Sequence, residues 1–135
     1  MIDKEIIKIA SNTENHGVLD NHTHFSKLKN SICGDEMKIY LIVKDEKIVN
    51  FKYECESCIY CQASVSLLSR NAKNKSIKKV KNFAQQANSY FDKSTDSFDK
   101  EWKEFDKIMT KNNISRKECL LLPINTMLDA LTKKT

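Results

Sequence analysis

The sequence predicts a single α+β domain. Two β-rich runs lie close together in the first half of the chain, and apolar residues recur at helical spacing through the second half. With 135 residues, 40% of them apolar, one hydrophobic core needs no disulfide staples. The β-rich runs are Met37-Lys38-Ile39-Tyr40-Leu41-Ile42-Val43 and Ile48-Val49-Asn50-Phe51-Lys52-Tyr53. The polar Lys44-Asp45-Glu46-Lys47 between them makes a hairpin the simplest connection.

Ahead of the hairpin, Ile2, Ile6 and Ile9 or Ala10 recur at helical spacing behind Asp3, whose carboxylate can accept backbone N–H groups as an N-cap. A short first helix is expected there. Residues 11–25 are polar, contain Gly17 and follow neither period, so they read as a surface loop. All three histidines sit in it. His22 and His24 lack a carboxylate or cysteine at ligand spacing and read as solvent-exposed, outside any metal site.

After the hairpin the chain turns helical past Cys61, through Ala63, Leu67 and Arg70-Asn71. Ser76 caps the next helix, in which Ile77, Val80, Ala84, Ala87 and Phe91 share a face. Phe98, Trp102, Phe105 and Met109 mark a further helix, and these aromatic stripes read as core. Asn112-Asn113 ends that segment. Ser115 opens a last helix through Leu120, Ile124, Met127, Leu128 and Leu131, with Cys119 at or just before its start. Pro123 either kinks this helix or occupies its first turn, because proline has no N–H for an interior helix bond.

Composition narrows the function classes. No run approaches the roughly 18 apolar residues of a membrane span, and Met1-Ile2-Asp3-Lys4-Glu5 lacks a signal-peptide profile, so a cytoplasmic protein is expected. The net charge of +5 is dispersed, and Lys73, Lys75, Lys78, Lys79 and Lys81 read as a solvated helix face, with no nucleic acid as partner. Two glycines leave no phosphate-cradling loop, and no Ser/His/Asp set or paired carboxylates stand at catalytic spacing. Five cysteines cannot all pair within one chain, which in a reducing compartment points to metal or thiol chemistry.

The cysteines are placed to meet. Cys33 and Asp35 stand just before the first strand, and Cys55 and Cys58 just after the second, so antiparallel pairing closes them into one site. Cys58 directly precedes a helix, whose positive end favours thiolate over thiol, making it the best nucleophile on local grounds. Three dispersed thiols with a carboxylate describe a site for a thiophilic metal or for sulfur itself. Cys55-x-x-Cys58-x-x-Cys61 is also part of a ferredoxin-type run, but a second run and the Cys-Pro are missing, and that reading leaves Cys33 and Cys119 unused. Taken singly, Cys55 and Cys61 read as small apolar side chains, with an accessory ligand role left open.

Asn30-Ser31-Ile32-Cys33-Gly34-Asp35, the strands behind it, Cys58-Ile59-Tyr60-Cys61-Gln62-Ala63-Ser64-Val65-Ser66 and Arg116-Lys117-Glu118-Cys119 resemble the iron–sulfur cluster assembly scaffolds of the SufU/IscU (NifU N-terminal) family. The resemblance covers nearly the whole of residues 1–135, and the 61 positions from Cys58 to Cys119 are closer to SufU-type spacing. It implies a small antiparallel sheet covered on one side by helices. It also implies that Cys33, Asp35, Cys58 and Cys119 bind a transient [2Fe–2S] cluster or Zn²⁺, and that Cys119 accepts persulfide sulfur from a cysteine desulfurase for delivery to recipient apo iron–sulfur proteins. One carboxylate among thiolates would keep such a site exchangeable.

Three departures from the family pattern stand out. Glu118 occupies the position before the third cysteine, where a basic residue or histidine is usual; a carboxylate there raises the cost of a thiolate or serves as a spare ligand. The Leu-Pro-Pro-Val-Lys chaperone peptide of IscU-type proteins is absent. Cys61 stands where cysteine is unusual. The leading reading is a scaffold or carrier rather than an enzyme. The alternatives are a zinc-dependent sulfurtransferase partner of a desulfurase, and a structural zinc or adaptor domain.

Overall fold

The computed structural model describes residues 4–31, 34–92 and 98–132. The expected Asp3 cap and Cys33 lie outside the described residues. Strands β1 (His24–Lys29), β2 (Glu36–Lys44) and β3 (Lys47–Glu56) form one antiparallel sheet in sequence order. The β2–β3 hairpin lies where the β-rich runs predict it. Lys44 pairs with Lys47, and both residues between them have positive φ, Asp45 at 53° and Glu46 at 63°. A two-residue turn of that kind matches the right-handed twist of its strands.

Pleating then sorts the side chains. Met37, Ile39 and Leu41 of β2 face the same way as their partners Cys55, Tyr53 and Phe51 on β3, and all but the half-buried Cys55 are buried. Four helices pack on the sheet and on each other: α1 (Lys4–Ala10), α2 (Ile59–Ala72), α3 (Ile77–Tyr90) and α4 (Lys117–Thr132). The central pair is α2 and α4, with α4 lying on β1 and β2 and α2 on β3. Fully buried Ala63 and Ser64 bring the two helices close, and the Ser64 hydroxyl donates to the Leu120 carbonyl at 2.6 Å.

Strand β1 corrects the loop expected over residues 11–25, which ends at His24. Its inward position is Ser26, buried and hydrogen-bonded to Asp129 of α4. A serine at the core position and lysines at 27 and 29 hide the apolar alternation that would announce a strand. Residues before it cover the other edge of the sheet: Gly17 donates its N–H to the Tyr53 carbonyl at 2.8 Å, and Tyr53 donates to Asn15 at 3.2 Å.

The hairpin tip is tied to the α2–α3 connection. Ile48 N–H donates to Lys75, Asn74 N–H to Ile48 and Ile77 N–H to Glu46, at 2.7–3.0 Å. Ser76 caps α3 as expected, accepting the Lys79 N–H at 3.2 Å.

The aromatic stripe from Phe98 is core, but its helix is of the 3-10 type, over Lys100–Lys107. Trp102, Phe105 and Ile108 are three apart, and side chains at that spacing line up when a helix has three residues per turn. Trp102 stacks on Phe83 of α3 with centroids 4.1 Å apart, while Phe105 packs on the same ring at 4.7 Å. A second 3-10 helix, Lys111–Arg116, leads directly into α4, which carries Cys119 in its first turn and Pro123 in its interior rather than at its start. No helix among the described residues is long and apolar enough to cross a membrane.

Phe105→Ala should destabilise the chain by about 3–5 kcal/mol, the cost of emptying a buried aromatic position. The urea midpoint, followed through the fluorescence of Trp102, the single tryptophan, measures it. A loss under about 1 kcal/mol would show that the 3-10 segment folds independently of the core.

Candidate metal centre

One end of the hairpin and the first turns of two helices converge on a single point. Backbone bonds among Asn30, Gly34 and Asp35, between β1 and β2, form the first wall. Asn30 donates its N–H to the Asp35 carbonyl at 2.7 Å, and Gly34 donates to the Asn30 carbonyl at 2.8 Å. Gly34 takes φ of +75°, a left-handed conformation that disfavours any side chain. The turn delivers Asp35, 6% exposed, to the head of β2.

Across the sheet, β3 ends at Glu56, and Cys58 becomes the N-cap of α2 with extended backbone, φ −70° and ψ 167°. Cys58 donates its backbone N–H to Asp35 Oδ1 at 3.2 Å, fastening the first wall to the second. Its sulfur leaves the usual capping bond unmade. Cys119, 4% exposed, arrives as the third residue of α4. Arg116 stacks over the Tyr60 ring at 5.3 Å, joining the approach to α4 to the first turn of α2.

Asp35, Cys58 and Cys119 each present a ligand atom, and these atoms lie within 4.8 Å of one another. Asp35 Oδ2 is buried and has no hydrogen-bond partner among the described residues. A buried carboxylate oxygen without a donor is costly, and a cation between it and two thiols would relieve that cost. Both helix dipoles add positive potential at this end. The donor set of two sulfurs and one oxygen suits Zn²⁺ or iron.

The remaining expected residues are placed as follows. Cys55 is half-buried at the end of β3 and lines a cleft of about 180 Å³ with Ala10, Thr13, His16, Tyr53 and Gln62, a lining that omits Asp35, Cys58 and Cys119. Cys61 is 0% exposed. Burial pushes both thiols above the ordinary cysteine value. The nearby Ser57 hydroxyl opposes part of that rise at each sulfur. Glu118 is exposed, on the second residue of α4.

The histidines lie apart from the three-residue group. His22 donates Nδ1–H to the Leu19 carbonyl at 2.7 Å and packs on Phe25 and Tyr40, His24 begins β1, and His16 bridges to Tyr53. Sequence reasoning missed the Arg116–Tyr60 stack and the Asp35–Cys58 bond. Neither follows from spacing, although a cation at 116 and an aromatic ring at 60 flanking the two cysteines offered a faint signal.

Comparison with known proteins bears on this geometry. The model of the NifU-like N terminal domain matches residues 1–93. The chain is 28% identical over 135 residues to the iron–sulfur cluster assembly scaffold protein IscU of Thermotoga maritima, covering 98% of this chain and 94% of the relative. Two IscU scaffold proteins of Archaeoglobus fulgidus are each 28% identical over 87 residues, which is 64% of this chain and 57% of theirs. Among solved structures, a NifU-like N-terminal protein of Brucella abortus superposes with a TM-score of 0.89 at 19% identity, covering 96% of this chain and 90% of that one, a likeness of fold. A protein of Fervidobacterium islandicum, described as a candidate iron–sulfur cluster assembly scaffold for the SUF system, superposes with a TM-score of 0.85 at 26% identity over 97% and 96% of the two chains. With the family model matching residues 1–93 and a relative aligned along nearly the whole chain, the chain belongs to the NifU-like N terminal domain family.

Proposed function

We propose that this protein is an iron–sulfur cluster assembly scaffold that accepts sulfur from a cysteine desulfurase, holds a nascent [2Fe–2S] cluster or Zn²⁺, and passes its cargo to recipient apo-proteins. The observation that carries the reading is the buried Asp35 carboxylate, whose Oδ2 has no hydrogen-bond partner among the described residues and one oxygen of which lies within 4.8 Å of the Cys58 and Cys119 sulfurs. Cys58 and Cys119 supply soft thiolate donors and Asp35 a harder oxygen, and Cys33 is the proposed fourth ligand. It precedes Asp35 by two residues, a separation that covalent geometry limits to about 7 Å. The cargo would bring thiophilic metal chemistry, while the chain provides a partly shielded, exchangeable cradle.

Cys119 is the proposed persulfide acceptor. Transfer needs a sulfur within exchange distance, and Cys58 provides one. A second reading, zinc-dependent sulfur transfer without a scaffold role, is favoured by the long stretch from Cys58 to Cys119, which here holds α3 and two 3-10 helices. Metal and acid-labile sulfide content separates the two. The protein would be purified without oxygen and assayed before and after incubation with a cysteine desulfurase, cysteine and ferrous iron. Iron and sulfide in near-equal amounts support the scaffold, whereas zinc without sulfide would replace it by the sulfur-transfer reading.

Cys33→Ser, Cys58→Ser and Cys119→Ser should each lower metal retention by at least about tenfold, or 1.4 kcal/mol. Inductively coupled plasma analysis of the desalted variants tests this, and full retention in all three would remove the proposed ligand set. Asp35→Asn keeps an acceptor for the Cys58 N–H but removes the buried charge. It should therefore leave the metal-free chain as stable as the parent or more stable, while weakening zinc binding. Thermal melts with chelator and with zinc read both effects, and a large loss of stability in chelator would assign Asp35 a structural role instead.

A further inference from the structure

Cys61, the cysteine that departs from the family pattern, has a defined relation to Cys58. Helix α2 begins at Ile59, so Cys58 is its N-cap and Cys61 its third residue. An N-cap side chain can reach the backbone of the third helical residue, which puts Cys58 and Cys61 on the same side of the first turn. Residues three apart on a helix hold their Cβ atoms about 5–6 Å apart, and a small adjustment of the first turn closes that to the roughly 3.5–4.5 Å of a disulfide. The two thiols differ in access. Cys58 is half-buried with its sulfur among the candidate ligands, and Cys61 is 0% exposed. An accessible thiol at a helix N-terminus followed three residues later by a buried one is the arrangement that dithiol–disulfide exchange uses, the first sulfur capturing a sulfur-bound partner and the second resolving it.

We propose that Cys58 and Cys61 form a redox-active dithiol that reduces sulfane sulfur arriving at Cys58 and releases it as sulfide. This rests on the reading that persulfide sulfur is delivered to the site. Sulfur that lands on Cys119 reaches Cys58 by exchange: the Cys58 sulfur attacks the terminal sulfur of the Cys119 persulfide, and Cys119 leaves as the thiol. Cys61 Sγ then attacks Cys58 Sγ. A Cys58–Cys61 bond forms, and the bond to the terminal sulfur breaks. The electron pair leaves with that sulfur as hydrosulfide, which takes the proton of the Cys61 thiol. The sulfane sulfur is reduced, and the two cysteines are left oxidised as a disulfide. An external dithiol returns them to the reduced state. While oxidised, the pair withdraws Cys58 from the metal ligands, so sulfide release and metal loading alternate.

The test uses the full chain, metal-free and reduced, with free reductant removed, mixed anaerobically with one equivalent of glutathione persulfide. Released sulfide is trapped, and the alkylated protein is mapped by mass spectrometry after cleavage at Glu56 and Tyr60, which separates Cys55, Cys58 and Cys61. One sulfide per chain and a Cys58–Cys61 linkage are expected. In Cys61→Ala, sulfide release should fall roughly tenfold or more, with a persulfide retained on Cys58 or Cys119. Wild-type release from that variant, or a Cys55–Cys58 linkage in the parent, overturns the proposal. A parallel arm equilibrates the parent chain in glutathione redox buffer without any persulfide. Failure of the Cys58–Cys61 disulfide to form there sinks the redox pair by itself. If the pair forms but no cysteine takes up sulfur in the first arm, sulfide release by this route is overturned through failure of the sulfur-acceptance reading.

Discussion

Antiparallel pairing of β2 with β3 is the constraint on which the rest depends. A hairpin returns the chain to where it started, so Asp35 at the head of β2 and Cys58 beyond the end of β3 become neighbours although many residues separate them in sequence. The bond from the Cys58 N–H to Asp35 Oδ1 then fixes the direction in which α2 leaves the sheet. Once α2 has that direction, its small-residue face receives α4, and the Ser64–Leu120 bond sets the level at which Cys119 enters. A slip of one residue in the β2–β3 register would reverse every inward side chain and part Asp35 from Cys58.

The site is assembled against the preferences of the core around it. A carboxylate and one thiol are buried beside a half-buried second thiol, and one carboxylate oxygen has no donor among the described residues. Apolar residues of similar volume would pack there at less cost. The surrounding structure tolerates this because the load on stability is carried elsewhere, by the inward rows of the hairpin, the α2–α4 contact and the aromatic cluster of Phe83, Phe98, Trp102 and Phe105.

Much of this was legible in the sequence. The hairpin, α2, α3 and α4 follow from apolar period and the Ser76 cap, because those segments bury one face in the ordinary way. The meeting of Asp35 with Cys58 follows from topology alone. Strand β1 was not legible, since Ser26 gains its place from a hydrogen bond to Asp129 rather than from apolar burial. The 3-10 character of residues 100–107 was hidden because Phe98, Trp102, Phe105 and Met109 satisfy an α-helical spacing, whereas the observed helix brings Trp102 and Phe105 together onto Phe83. The polar run at 44–47 marked the turn but not its type, since Asp45-Glu46 lacks the Asn-Gly or Asp-Gly pair that usually marks two positive φ angles.

The ties between the hairpin tip and the α2–α3 connection lie at the opposite pole from the ligands. Backbone bonds there run from strand to connection and back, independent of anything held between Asp35, Cys58 and Cys119. Loss of the Asp35–Cys58 bond would therefore leave the clamped end with all of its backbone bonds in place. One pole of the hairpin is thus pinned by backbone alone, while the other is held by side chains whose chemistry can change.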